Sequence, residues 1–384
     1  MTEGPATPAF SRRPGGRVPR RHLLTNAARL LGAGAAWSLA ACAGGGARGN
    51  SAAPPATGQA APSPAAPGRT TPASRVRVGV LGLTAEAGIY AAMAQGYFQQ
   101  AGIDIDLVRF DSVTKAIPSL GTNQIEVGAG SIGASFFNAV ERGVDVRIVG
   151  PQTEAKGDRG SLWFVVRKDL VDSGKFADYA DFKGLTVALP SRGGSNEYQL
   201  DESLKRGGLG PGDVNVVELA FPDMVPALQN KQLDVAQISE PPATIAVDQG
   251  IGVKWRIASA WAPEFQLTYL LYSPQFRTAQ ADVGKRWMVA YLQGARWYER
   301  AVAGGPERDQ LFQIIAEYTS VKDTALLSRM SFTTMPVNGE ILTDDIVAQA
   351  RWAQERGYTS AQPSLDQMID PQFVEAAVAQ LGKT

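Results

Sequence analysis

Cysteine and histidine are almost missing: 384 residues hold one of each, Cys42 and His22. Beyond residue 42 the chain has neither an imidazole nor a thiol. A Ser-His-Asp triad, a Cys-His pair and any metal site built on His or Cys are therefore closed to the folded part. An internal disulfide is excluded as well. Neither charge is in excess, since 37 basic groups face 37 acidic ones. That balance, with 44% hydrophobic residues, argues against a disordered chain or one that coats nucleic acid. The weakly apolar run Leu30 to Ala41 is too short to span a bilayer permanently. What the chain does have is length for two or three domains and a sizeable core.

The first forty residues read as an address. Arg12, Arg13, Arg17, Arg20 and Arg21 precede Leu23, Leu24 and the short apolar run, the layout of a secretory signal. Arg20-Arg21-His22-Leu23-Leu24 resembles the twin-arginine export motif, although the general route also favours arginines. Leu39-Ala40-Ala41-Cys42 resembles a bacterial lipobox, which makes residues 1–41 a signal peptide and Cys42 the lipidated new N-terminus. Removing 1–41 would leave 31 basic and 36 acidic groups, a net charge of −5. Lipid, not charge, would then hold the protein at the membrane. Residues 42–74 are rich in Gly, Ala, Pro, Ser and Thr, with Arg48 and Arg69 as their only charges. Such a segment cannot bury enough apolar surface to offset its ordering entropy, so it is expected to be a flexible tether of about 30 Å mean span. The expected location is extracytoplasmic: periplasmic, or anchored to the outer face of the cytoplasmic membrane.

From Arg75 onward, short apolar runs alternate with helix-like stretches, which predicts an α/β fold of mainly parallel strands with helices on both faces. Gly96, Gly102, Gly121 and Gly143 fall where helix C-caps are expected. The chain also resembles itself at an offset of 108 residues. Ile117-Pro118-Ser119-Leu120 matches Val225-Pro226-Ala227-Leu228, and Gln124-Ile125-Glu126-Val127 matches Gln232-Leu233-Asp234-Val235. Two similar lobes follow. The first is expected over 75–170 and 262–384, including a helical tail, and the second over 171–261. Leu162 to Val166 and Leu267 to Tyr272 are the expected crossing segments. Trp287, Leu292 and Trp297 share one helix face and read as core.

Gly96-Tyr97-Phe98 with Gly102-Ile103-Asp104-Ile105, Gln124 to Gly128, and Asp181-Phe182-Lys183-Gly184-Leu185 carry a family resemblance. In order and spacing they resemble substrate-binding proteins of ABC importers, in the group that binds alkanesulfonate, nitrate, taurine and thiamine-pyrimidine. The resemblance implies a type II periplasmic-binding-protein fold, a ligand cleft between the lobes, no catalysis and delivery to a membrane permease. No cofactor, metal or nucleic acid is expected, and the protein is expected to be a monomer. An enzyme on the same scaffold, of the pyrimidine-forming or menaquinone-pathway dehydratase type, is the alternative; so is a lipoprotein that senses a ligand. The missing histidine and cysteine-rich motif oppose the first of these.

Ligands of open α/β sheets lie beyond the carboxyl ends of strands, near helix N-termini. That rule selects Thr84 and Glu86 after the first strand, Ser131 and Ser135 in a small-residue turn, and Thr153 beside Gln152. In the second lobe it selects Ser191, Arg192, Gly193, Gly194 and Ser195, which offer N–H groups and a hydroxyl to a sulfonate, carboxylate or phosphate oxygen. Glu240 follows a strand too, and facing the cleft it would accept bonds from an amine or amidine. Whether the solute is an anion or a heterocyclic cation stays open at this point. Tyr90, Tyr198 and Trp261 are candidate aromatic walls.

Overall fold

A computed structural model describes residues 73–262 and 264–384. The expected signal peptide, Cys42 and nearly all of the tether lie outside the described residues.

Among the described residues, ten strands form two five-stranded sheets. The first holds β1 (Ser74–Val80), β2 (Ile103–Arg109), β3 (Val127–Gly130), β4 (Arg147–Lys156) and β10 (Glu264–Tyr272) in the order β2-β1-β3-β10-β4. The second holds β5 (Leu162–Arg167), β6 (Thr186–Leu189), β7 (Asn215–Glu218), β8 (Val235–Ser239) and β9 (Gly252–Arg256) in the order β7-β6-β8-β5-β9. The two orders are the same topology. In each, one antiparallel strand, β10 or β5, is inserted between the third and fourth strands of the lobe. The remaining neighbours, β1 with β2 and β3, and β6 with β7 and β8, are parallel.

The internal repeat has a physical counterpart at the expected offset. Helices Val113–Gly121 and Phe221–Gln229 correspond, each with a proline inside, Pro118 and Pro226. The acids of the repeated motif have one job. Glu126 accepts the Arg77 backbone N–H at 2.7 Å, and Asp234 accepts that of Thr186 at 2.9 Å. Each also binds an arginine, Arg77 or Arg167, so the repeated acid staples the neighbouring strand and is not a ligand group. The left-handed turns before these motifs fall on Asn123 and Lys231, both at φ 58°, and Gly121 lies inside its helix rather than capping it. Gly96, Gly102 and Gly143 do take the expected left-handed conformation.

One boundary differs from expectation. Leu162 to Val166 was expected in the first lobe, yet β5 pairs with β8 and β9 in the second sheet. An apolar run announces a strand, but which sheet accepts it depends on partners 70 to 90 residues away. The chain thus passes to the second lobe just after Lys156 and returns just before Glu264. Trp287 and Trp297 sit in the core of the first lobe, on the long helix Ala281–Val302, as their spacing predicts. No helix among the described residues is long and apolar enough to cross a membrane.

Candidate functional site

Where the carboxyl ends of β1, β3, β6 and β8 face one another, the lobes flank a half-open chamber of about 100 Å³. The first lobe contributes Glu86, Ser131, Gln152, Thr153 and Thr268; the second contributes Ser161, Ser191, Gly194, Ser195, Asn196 and Gln199. Leu81, Leu83, Ile132, Leu162, Phe221 and Leu267 supply apolar wall. Strand ends place these groups because a parallel sheet delivers each chain to its helix on the same edge.

Of the residues expected at the site, Glu86, Ser131, Thr153, Ser191, Gly194 and Ser195 line the chamber. Thr84 is buried beside it, and Ser135 is half-buried on its helix, and neither forms part of the wall. Arg192 turns outward, donating to the Val216 carbonyl at 2.7 Å. Gly193 lies behind the wall: its N–H donates to Glu197 at 2.7 Å and its carbonyl accepts the Ala134 N–H at 2.7 Å. The Ser195 N–H donates to the Ile132 carbonyl at 3.2 Å. Of the N–H groups expected to cradle an anion, those of Gly193 and Ser195 are therefore spent on the protein itself, and the Ser195 N–H joins the lobes, as does the Ala134 N–H that Gly193 accepts.

Glu240 is also elsewhere. It is fully buried and 2.5 Å from the Lys254 ammonium, and it accepts the Thr244 hydroxyl at 2.8 Å and the Ser331 N–H at 3.2 Å. Its countercharge is internal, so it has no place for a ligand amine. The aromatic candidates fill core. Tyr90 stacks on Tyr318 at 5.0 Å, while Tyr198 and Trp261 pack against Phe265.

The electrostatics of the chamber follow from its lining. Among the described residues its lining includes two acids, Glu86 and Asp111, the latter paired with Lys115 at 2.6 Å, and no Lys, Arg or His. Glu86 accepts the N–H groups of Leu81 (3.0 Å) and Leu83 (2.6 Å) and the Tyr90 hydroxyl (3.3 Å). Burial nevertheless pushes its carboxyl up to about 7, and those bonds pull against the rise. Gln152 donates through Nε2 to the Ala85 carbonyl at 3.2 Å, but its Oε1 is buried without a partner. A buried acceptor left unpaired is costly unless a donor arrives. Asn196 belongs to the stretch 191–197 that the sequence marks out, whereas Gln199 lies beyond it. The signal for Gln199 is helical spacing: it lies one turn beyond Ser195 on the same face and donates to its hydroxyl at 3.3 Å.

A second set of contacts joins the lobes away from the chamber. Glu197 and Asp201, on the helix Ser195–Arg206, reach the helical tail of the first lobe. Glu197 accepts Arg356 Nη2 at 3.0 Å and the Tyr358 hydroxyl at 2.8 Å. Asp201 accepts Trp352 Nε1 at 2.7 Å and lies 3.1 Å from Arg356 Nε. Between this seam and the chamber, Gly133 and Gly194 form an antiparallel bridge from lobe to lobe.

Comparisons with known proteins agree with this architecture. A Brachyspira hyodysenteriae protein provisionally named an ABC transporter periplasmic binding protein is 26% identical over 179 residues. That match covers 44% of this chain and spans about half of the relative, 49% of its length. Among solved structures, the nitrate-binding protein NrtA from Synechocystis PCC 6803 superposes with a TM-score of 0.67 at 14% identity, covering 81% of this chain and 89% of NrtA. The alkanesulfonate-binding protein SsuA from Xanthomonas axonopodis pv. citri, bound to MOPS, gives 0.59 at 18% identity, with 80% and 99% covered. The desulfurization enzyme DSZB gives 0.56 at 16% identity, also with 80% and 99% covered. At these identities the likeness is one of fold. Residues 84–299, more than half of the chain, match the NMT1/THI5-like family, and the protein belongs to it.

Proposed function

We propose that this protein is an extracytoplasmic solute-binding component of an ABC importer. In this reading it is anchored through lipid at Cys42, closes its two lobes on one small solute, and passes that solute unchanged to a membrane permease. The matched relative's name and the binding proteins among the structural neighbours support the class. The fold also serves an enzyme, DSZB. The present chain has no histidine or cysteine beyond residue 42 to act as proton shuttle or nucleophile, which favours binding over turnover.

The solute's chemistry follows from one observation: the chamber lining combines carboxylates and an orphaned amide oxygen with no basic side chain. A group rich in N–H donors, neutral or cationic, satisfies Gln152 Oε1 and the hydroxyls. A nitrate or sulfonate would bring its charge beside the Glu86 and Asp111 carboxyls, where the nearby cations are already held, Lys115 by Asp111 and Arg109 by the Tyr318 carbonyl.

A thermal-shift panel tests this choice. Acetamidine and acetamide should raise the melting temperature, whereas acetate, nitrate and methanesulfonate should not; the reverse order rejects the assignment. The pH dependence should distinguish the two active probes. In the empty protein Glu86 keeps its proton up to about 7, so a cation must expel it at pH 5 and need not above 7. Acetamidine should therefore bind up to about 50-fold more tightly at pH 7 than at pH 5, with acetamide nearly flat. A flat profile for acetamidine as well would remove Glu86 from the site. Cys42→Ala should release the protein from membranes to the soluble fraction, and retention there would refute the anchor.

A further inference from the structure

We infer that the solute is amphipathic: a small N–H-bearing head in the chamber, joined to an uncharged apolar body that lies in a second, larger groove. This inference rests on the solute-binding reading above and extends it to the rest of the molecule bound.

The chamber alone is too small for a whole solute of ordinary size. An apolar cavity that accepts benzene measures about 150 Å³; this one measures about 100 Å³. It has room for a group of a few heavy atoms. Leading from it is an open groove of about 1210 Å³. The two spaces share Leu81, Leu83, Asp111, Ser112, Pro190 and Phe221, so they are successive compartments of one cleft.

The groove's walls come from both lobes and are mainly apolar. Phe110, Val321 and Leu326 face it from the first lobe, and Phe221, Pro222 and Ile245 from the second. Contiguous apolar surface of this extent, left uncovered beside a polar chamber, marks a binding site. Its charged groups are already engaged. Arg109 donates to the Tyr318 carbonyl and Lys322 to that of Ala316. Lys115 pairs with Asp111 at 2.6 Å, and Asp323 accepts the Ala325 N–H at 2.9 Å. Each of the five charged residues lining the groove thus has a protein partner, and what remains on offer is mainly hydrocarbon, with the neutral polar side chains of Ser112, Gln229, Gln249, Thr319 and Ser320. The occupant matched to that surface is the uncharged part of the solute whose head sits in the chamber.

A homologous series reads this directly. Acetamidine, butanamidine, hexanamidine and octanamidine are titrated calorimetrically into the full-length protein. Affinity should rise about threefold to fourfold per added methylene, the increment of apolar burial. Ile245→Ser and Leu326→Ser, which alter groove residues outside the chamber, should flatten that rise and leave acetamidine binding unchanged. Circular dichroism confirms that each variant is folded. A flat series in the wild-type protein, with acetamidine bound, overturns the amphipathic solute and leaves the chamber's head-group assignment standing. Failure of every amidine to bind overturns both.

Discussion

Arg356→Met is expected to destabilise the protein by roughly 3–5 kcal/mol, the cost of leaving buried carboxylates without their cation. Two acids depend on this one guanidinium. The Glu197 side chain is 1% exposed and that of Asp201 is 5%. Burial already raises the Asp201 carboxyl above its ordinary value, with Trp352 and Arg356 opposing the rise. Without Arg356, Glu197 keeps the Gly193 N–H, the Tyr358 hydroxyl and a distant Arg192 at 3.6 Å. Asp201 keeps Trp352 alone among the partners named above. Neutralising the acids should restore much of the loss, so that Glu197→Gln and Asp201→Asn combined with Arg356→Met are more stable than Arg356→Met by itself. Denaturant titration of the ligand-free proteins measures both effects. A loss below about 1 kcal/mol would show the pair to be no more than a surface contact.

Gly133→Val acts on closure and spares the lobes themselves. Gly133 has an extended backbone at φ 178°, which valine adopts without strain. A Cβ built there meets the Gly193 carbonyl oxygen at 2.6 Å and the Gly194 Cα at 2.7 Å. Both are backbone atoms of the other lobe, and neither can swing aside as a side chain would. The bridge at Gly194 and the Ala134-to-Gly193 hydrogen bond cannot form around that methyl. Solution scattering should give a larger radius of gyration than wild type, and binding of the best amidine probe should weaken more than 100-fold. The far-ultraviolet spectrum should stay the same, because the obstruction lies between the lobes. A radius and an affinity both equal to wild type would show that this glycine contact is not needed for closure.

The order of strands and helices was legible because each leaves a local period: alternation in β1, a single apolar face on Ala281–Val302, and glycine where Gly96 and Gly143 turn left-handed. The twofold plan was legible through the repeat, which preserves even the acid that staples each first strand. The placement of β5 was not, since its partners are distant in sequence. Glu240 misled for a related reason. An acid after a strand reads the same whether its countercharge is a ligand or Lys254, fourteen residues on. The Glu197–Arg356 pair spans 159 residues and left no local mark. At the chamber, the strand-end rule selected six residues that line its wall, Glu86, Ser131, Thr153, Ser191, Gly194 and Ser195. It overvalued the Gly193 and Ser195 N–H groups, because only the folded chain shows that Glu197 and Ile132 already use them.

Recovery of the bound compound tests the central claim most directly. The full-length protein is saturated with hexanamidine, separated from free probe, unfolded in acid and analysed by mass spectrometry. One probe molecule per chain, with its mass unchanged after prolonged incubation, is the result expected of a protein that clasps and releases its solute. A product of altered mass, or no retained probe from any of the amidines, would contradict that role.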